Sequence, residues 1–255
     1  MKSKPLFAFF GTSVDSRFAL EQLERCGLSP AIVIDSKEIP DDLNNTQWDF
    51  FLVCSYGKLF KKEMLDLSRR GALNIHPSLL PKFRGPSPYI STILADLPAG
   101  KAGERETGVS IMQMEEKMDA GPLIAQARIE IAEEDWPPKG LVLSQMLFTE
   151  GVNLLAEVLP EWLAGKLQPV PQDESQATYT RKFTDADALL DLAGNQREQF
   201  LKIRAFDKDP RAHFFSKNGK RIIITDADFK NGSLKILRVI PEGKREMDYE
   251  DFLRG

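Results

Sequence analysis

The sequence predicts an α/β protein: a mostly parallel sheet covered by helices, followed by a small β-rich C-terminal domain. Three observations predict it. Apolar runs without polar alternation (LFAFFG, AIVID, WDFFLVCS, ALNIH) are interleaved with segments of helical period, the pattern of strands buried on both faces. A polar, proline-bearing stretch with no periodicity, QPVPQDESQATYT, reads as a linker. Beyond it, HFFSKNGKRIIIT places two β-type runs around Asn218-Gly219, a hairpin signal.

Taken in chain order, LFAFFG reads as the first strand and FALEQLERCGL as a helix, with Phe18, Leu20 and Leu23 at helical spacing and Gly27 as its stop. AIVID, WDFFLVCS and ALNIH are the next three strands, and KKEMLDLSRRGA is helical between the last two. PSPYISTILADL reads as a helix entered through prolines, and LPAGKAGERETG as a surface insertion. ETGVSIMQM and PLIAQARIEI are extended, and GLVLSQMLFTEGVNLLAEVLPEWLAGK is a long amphipathic helix. After the linker, DALLDLAGNQREQFLKIRAF reads as a helix and LKILRVI as one more strand, so the tail signals about three strands. The expected division is 1–170, a linker at 171–180, and 181–255.

Composition narrows the class. Of the 255 residues 42% are hydrophobic and 28% charged, the balance of a globular protein and not of a disordered or fibrous one. The apolar run in MKSKPLFAFFGTS is too short for a signal segment and reaches Gly11 without a cleavage site. No run approaches the ~18 apolar residues that cross a bilayer, so no membrane partner is expected. Cys26 and Cys54 are the only cysteines. Without a C-x-x-C pair they suggest neither a disulfide framework nor a zinc site, and the expectation is two buried, reduced thiols in a cytoplasmic protein. Residues 1–175 hold 18 Lys+Arg against 25 Asp+Glu, and residues 176–255 hold 16 against 13. The tail is the basic part, a feature that acquires meaning only with a nucleic-acid partner.

Histidine is scarce, with only His76 and His213 in the chain. Asn74 precedes His76 by two residues, so on a strand both side chains project to one face. An amide donor can hold a developing oxyanion and an imidazole can move a proton, the two demands of acyl transfer to an amine. Asp119, in MDAGPLIAQ, could orient the imidazole or take the amine proton through water, but spacing alone does not bring it near. Tyr56-Gly57 and His76-Pro77 both follow strands, where parallel sheets bind ligands. His213, beside Phe214 and Phe215, reads as structural.

The longer context of these residues, L-N-I-H-P-S-L-L-P-x-F-x-G-P and then E-T-G-V-x-I-x-x-M-x-x-x-M-D-x-G-P-L-I-A-Q, resembles the folate-dependent formyltransferase family. The resemblance implies a Rossmann-like catalytic domain with a reduced, barrel-like C-terminal domain. It implies 10-formyltetrahydrofolate as co-substrate, with no metal, and Asn74, His76 and Asp119 as the catalytic trio. It also implies a folate site flanked by Ser78, Leu79, Leu80 and Pro81, by the loop carrying Tyr56, Gly57 and Leu59, and by Met114 and Lys117.

Other segments bear on the acceptor. The turn after the first strand, GTSVDSR, has one glycine and an acidic Asp15, a poor cradle for a phosphorylated small acceptor. The G-T opening, PVPQDESQATYTRKF, QFLKIRAFDKDPRAHF and PEGKREMDYEDFLRG resemble the methionyl-tRNA branch of the family. That resemblance implies initiator methionyl-tRNA as partner, with Arg181, Lys182, Lys202, Arg204 and Arg211 as candidate phosphate contacts. A sugar-nucleotide N-formyltransferase using the same donor is the alternative. Two departures stand out: DSKEIPDDLNNTQ is short and acidic where that branch commonly carries a long basic loop, and the tail has fewer strand signals.

Overall fold

Apolar runs that no polar residue interrupts become strands enclosed from both sides. The protein is described here by a computed structural model over residues 4–96 and 104–254. Strands β1 (Phe7–Phe10), β2 (Ile32–Ile34), β3 (Phe50–Val53), β4 (Ala72–His76), β5 (Glu104–Gln113) and β6 (Leu123–Ala132) form one sheet in the order β2-β1-β3-β4-β5-β6. The pairs β1/β2, β1/β3 and β3/β4 are parallel, and β5 runs antiparallel to β4 with His76 opposite Ser110.

The alternation of side chains along a strand builds two cores from the same strands. Phe7, Phe9, Phe50, Leu52, Leu73 and Ile75 pack under helices α1 (Val14–Arg25) and α4 (Gly140–Leu163), against Ala19, Leu23, Phe148, Val152, Leu155 and Trp162. Their neighbours Ala8, Phe10, Phe51, Val53 and Ala72 face the other way, onto Leu43, Trp48, Tyr56 and Phe60. Asn74 and His76 share the parity of Ala72, so they belong to this second face. Helix α4 is long and apolar enough to cross a membrane by length and composition, but its Leu147, Phe148, Val152, Leu155 and Leu159 are all buried in the core.

Several elements differ from the sequence expectation. Helix α1 begins at Val14, four residues earlier than Phe18, because Ser13 and Ser16 cap it reciprocally. The helix expected over KKEMLDLSRRGA is only α2 (Lys62–Leu65). Downstream the Ser68 hydroxyl donates to the Gly71 carbonyl at 2.7 Å, offering the backbone a turn in place of another helical turn. Cys54 is buried, and burial pushes its thiol up, but Cys26 is exposed. It caps α1 just before the left-handed Gly27, off the helix's buried Ala19/Leu23 stripe. The insertion expected in LPAGKAGERETG falls mostly on residues 97–103, outside the described residues.

The chain divides into two compact units, one of residues 1–88, 106–130 and 144–180, the other of 89–105, 131–143 and 181–255. The second therefore takes in α3 (Pro88–Leu94) except its first residue, and the entry to α4, besides the tail. Its sheet is antiparallel and open, in the order β10-β9-β8-β7, with β7 (His213–Phe215), β8 (Arg221–Lys230), β9 (Ser233–Pro241) and β10 (Met247–Asp248). The fourth strand, two residues long, is too short to leave a periodic signal. Gly219 takes the left-handed conformation that the β7/β8 turn requires. Helix α5 (Gln196–Ala205) starts at its Asn195 cap. The DALLDLAG segment before it is turned because Asp187 and Asp191 accept from the backbone N–H groups of Thr184 and Ala193. Phe200 of α5 stacks on Phe229 at 5.5 Å, and α6 (Tyr249–Arg254) ends the unit.

The stretch expected as a linker, 171–180, lies within the first unit, whose boundary falls at Thr180, and is tied down there. Thr178 and Thr180 bond the backbone of residues 81–84, Val170 pairs with Leu123, and Tyr179 bridges to Arg84.

Candidate active site

His76 ends β4, and its placement is settled by what each ring nitrogen meets. The ring is 3% exposed. Nε2 lies 3.1 Å from the Phe83 carbonyl oxygen, a partner that can only accept, so Nε2 carries a proton. Nδ1 is left without a hydrogen bond among the described residues, and it stands 3.8 Å from Asp119 Oδ1. That separation exceeds a hydrogen bond and suits a bridging water or a reacting group. The structure therefore brings Asp119 to His76, which spacing could not do. It also makes the Phe83 carbonyl, and not Asp119, the hydrogen-bond partner that orients the imidazole.

Asp119 is itself held in an unusual state. Its backbone is left-handed, at φ +50°, a conformation that an aspartate tolerates better than most residues. Oδ2 accepts from the Gly85 N–H at 2.8 Å, leaving Oδ1 as the oxygen that faces His76. Gly121, two residues on, is required where it stands, because a Cβ there would lie 1.9 Å from the Gln113 carbonyl oxygen. Asn74 is half-buried on β4, opposite Met112, and its side-chain amide takes no hydrogen bond from the described residues.

Ser78 to Pro81 form a pinned turn. The Ser78 hydroxyl donates to the Lys82 carbonyl at 2.7 Å, and the Ser110 hydroxyl donates to the Ser78 carbonyl at 2.6 Å. Ser110, fully buried, also accepts from the Leu80 N–H and from Gln126 Nε2, and the same Gln126 amide donates to the Leu80 carbonyl. Leu80 is interior, and Leu79 packs against Gly108, where a Cβ would meet its Cδ2 at 2.6 Å. Recognition by this turn would fall to its backbone.

Of the loop after β3, Tyr56 is a core residue. Its ring sits edge-on to Phe10 and Phe60, its hydroxyl is buried without a partner, and burial pushes the phenol up. Its carbonyl oxygen accepts from Thr12 Oγ1 at 3.2 Å and from Lys37 Nζ. Ser55 and Gly57 are both left-handed, and Leu59 projects into solvent. Met114 packs half-buried against the cluster that contains Tyr56. Lys117 Nζ pairs with Glu174 Oε2 at 3.0 Å.

Sequence reasoning passed over Arg84, an unspecified position in the L-L-P-x-F-x-G-P run. It is the largest fully buried side chain among the described residues. Its Nε and Nη2 donate to Gln172 Oε1 at 3.1 and 2.7 Å, and Nη2 pairs with Glu174 at 2.9 Å. Burial would depress the guanidinium, but hydrogen bonds to Glu174 and Tyr179 outweigh it and raise it. Glu174, bonded first by Arg84 and then by Lys117, is held down at about 2. An arginine in a loop bounded by glycine and prolines was the available signal. Its partners, 88 and 90 residues away, were not visible.

The candidate phosphate contacts mostly have partners inside the second unit. Arg181 pairs with Asp187 and lies 4.7 Å over Phe183. Arg204 donates to the Pro137 carbonyl at 2.9 Å, and burial lowers its guanidinium. Lys202 donates weakly to the Leu189 carbonyl at 3.4 Å, and the Arg211 Nε is buried. Lys182 is exposed. Among the described residues no group of three or more His, Cys, Asp or Glu is placed to hold a metal.

Residues 17–158 match the family model described as formyl transferase. Fold and family match together define the class, a formyltransferase enzyme. The methionyl-tRNA formyltransferase of Dictyoglomus turgidum is 34% identical over 247 residues, covering 86% of this chain and 75% of the relative. That of Dictyoglomus thermophilum is 36% identical over 234 residues, covering 81% and 72%. The chain belongs to the methionyl-tRNA formyltransferase family. Among solved structures, a methionyl-tRNA formyltransferase from Clostridium thermocellum superposes with a TM-score of 0.65 at 16% identity, over 92% of this chain and 98% of that one. HypX from Aquifex aeolicus in complex with tetrahydrofolic acid gives 0.70 at 17%, over 98% and 47%. A 4-N formyltransferase from Francisella tularensis gives 0.68 at 19%, over 88% and 97%. At these identities the likeness is one of fold.

Proposed function

We propose that this protein transfers the formyl group of 10-formyltetrahydrofolate to the amino group of initiator methionyl-tRNA in the cytoplasm. The observation that carries the chemistry is the His76 ring at the end of β4, with Nε2 committed to Phe83 and Nδ1 facing Asp119 Oδ1 at 3.8 Å. Sequence kinship over most of the length of the Dictyoglomus enzymes supports the acceptor.

The neutral amine attacks the formyl carbon, forming the new C–N bond and moving the carbonyl electron pair onto oxygen. The Asn74 amide and the protonated Nδ1 of His76 hold that oxygen. The amine proton passes to Asp119 through a bridging water. Collapse restores the C=O bond and expels the folate nitrogen, which takes the imidazolium proton. Asp119 then returns its proton to His76, so no proton is lost from the cycle. Backbone groups of Ser78, Leu79, Leu80 and Pro81, the Tyr56, Gly57 and Leu59 loop, and Met114 with Lys117 flank the folate. Of the candidate phosphate contacts, Arg181 and Lys182 are the exposed ones, which supports a role for them at the tRNA backbone.

The test is to supply 10-formyltetrahydrofolate with charged initiator methionyl-tRNA and, separately, with amino-sugar nucleotides, and to follow formyl-amine formation. Formylmethionyl-tRNA is expected. A formylated sugar without formylated methionine would overturn the acceptor, and folate binding with no product from any amine would overturn the enzymatic reading.

A further inference from the structure

Among the described residues, Arg84 is unusual in being a fully buried cation. Its nearest partner is neutral, the Gln172 side-chain oxygen, which takes both Nε and Nη2. A buried arginine is normally matched by a buried carboxylate. Here the carboxylate, Glu174, is 55% exposed. Satisfying the guanidinium would be simpler with an acid at position 172, so the amide there has a second purpose.

That purpose is visible at its other end. Gln172 Nε2 donates to the carbonyl oxygens of Asp119 and Gly121 at 2.9 and 2.7 Å. The two hydrogens of one amide thus clamp the backbone that leaves the left-handed Asp119, at residues 119 and 121. An acid could not do this, because it has no donor. Arg84 also acts through its own backbone. Its N–H donates to the Thr178 carbonyl and its carbonyl accepts from the Thr180 N–H. These bonds fix the adjacent Gly85, whose N–H holds Asp119 Oδ2. The carboxylate that faces His76 is therefore held through its backbone by Gln172 and through its side chain by Gly85, and both supports converge on Arg84.

We propose that Arg84 and Gln172 are positioning residues for formyl transfer, locking the Asp119 loop so that Oδ1 stays opposite His76 Nδ1. The inference rests on the functional reading above. It makes residues 172–180 a working part of the reaction centre instead of a tether. Arginine is needed at position 84, since a lysine cannot present the planar fork that serves Gln172 and Glu174 together.

The decisive variant is Gln172→Glu. It keeps an acceptor for Arg84, adding an ion pair, but replaces the two donors with a carboxylate that repels both carbonyls. A purely structural role for the pair predicts a lowered unfolding midpoint with turnover unchanged. Positioning predicts an unchanged midpoint and folate KM, but a kcat lower by about 100-fold, the cost of misplacing a group by ~1 Å. The second readout needs no acceptor: with two histidines in the chain, the ring-nitrogen signals of His76 can be assigned. They should move in Gln172→Glu as they move in Asp119→Asn. A kcat within threefold of the parent, or His76 signals that stay in place, would overturn the proposal. Should Gln172→Glu not fold, Gln172→Met carries the same two expectations, and failure of both to fold would mark the network as structural and overturn the proposal too. If the parent protein formylates nothing, the functional reading fails on its own, while the His76 signals still decide whether Gln172 places Asp119.

Discussion

The carbonyl oxygen of Phe83 lies 3.1 Å from His76 Nε2, and Phe83 is itself left-handed at φ +59°. A bulky residue in that conformation is strained, at a cost of order 1–3 kcal/mol. The Thr178 hydroxyl holds it there by accepting from the Phe83 N–H at 2.8 Å. The strained carbonyl fixes which ring nitrogen is free, so the proton that matters is the one at Nδ1.

From this follows the first expectation. His76→Ala and Asn74→Ala each lower kcat by orders of magnitude, with Asn74→Ala losing about 3 kcal/mol as an oxyanion-hole donor does. Folate KM changes little, because both groups act on charge that develops only in the transition state. Steady-state kinetics decide it: a raised KM with kcat intact would assign these side chains to binding alone.

Gly85, like Gly121, is a glycine near the site that a side chain cannot replace without displacing its neighbours. At φ +116° it occupies backbone space that side chains avoid, and a Cβ would stand 2.7 Å from Thr180 Oγ1 and 2.8 Å from its carbonyl oxygen. Gly85→Ala must move either Thr180 or its own N–H, and the N–H is the support of Asp119 Oδ2. The expected result is a loss of ~1–3 kcal/mol of stability together with a fall in kcat. A variant with normal turnover and a lowered melting temperature would show that Asp119 does not depend on this bond.

Acid should loosen the 172–180 strap before it unfolds the core. Glu174 is held at about 2 against an ordinary 4.5 by hydrogen bonds from Arg84 and then Lys117. A depressed folded-state value means that its contribution is complete above pH 4.5 and disappears as pH falls toward 2. The group is exposed, so the effect is modest and weakened by salt. Melting temperatures measured between pH 2 and 5 should fall less steeply for Glu174→Gln than for the parent. Identical slopes would mean that the pair contributes nothing measurable.

Local signals made the strands legible, and contacts between distant residues hid much of the site. Phe7 to Phe10 and Ala72 to His76 fall where unbroken apolar runs put them. The two-residue spacing of Asn74 and His76 gave their common face. Asp119 and His76 meet only because a loop returns across the sheet, and no local pattern encodes that return. The strap was misread for a related reason. PVPQDESQATYT has the composition of a linker because its side chains bond backbone and a buried arginine instead of packing apolar surface, so its order left no hydrophobic period. The helices KKEMLDLSRRGA and DALLDLAGNQREQFLKIRAF were overextended where Ser68, Asp187 and Asp191 bond nearby backbone in competition with the helix.

Gly151 of α4 tests how closely β4 depends on the helix beneath it. A glycine inside a helix ordinarily costs about 1 kcal/mol relative to alanine, so Gly151→Ala would stabilise an open site. Here a Cβ would lie 2.5 Å from Ile75 Cγ2 and 2.9 Å from Val109 Cγ2, and both neighbours are β-branched and fully packed. Overpacking at ~1–3 kcal/mol outweighs the helical gain. Ile75 stands between Asn74 and His76 on β4, so displacing it tilts both. Gly151→Ala should therefore lower the melting temperature and kcat together, although residue 151 lies on the opposite side of the sheet from the reacting groups. A higher melting temperature with unchanged kcat would show that β4 yields to the methyl group without moving its polar face.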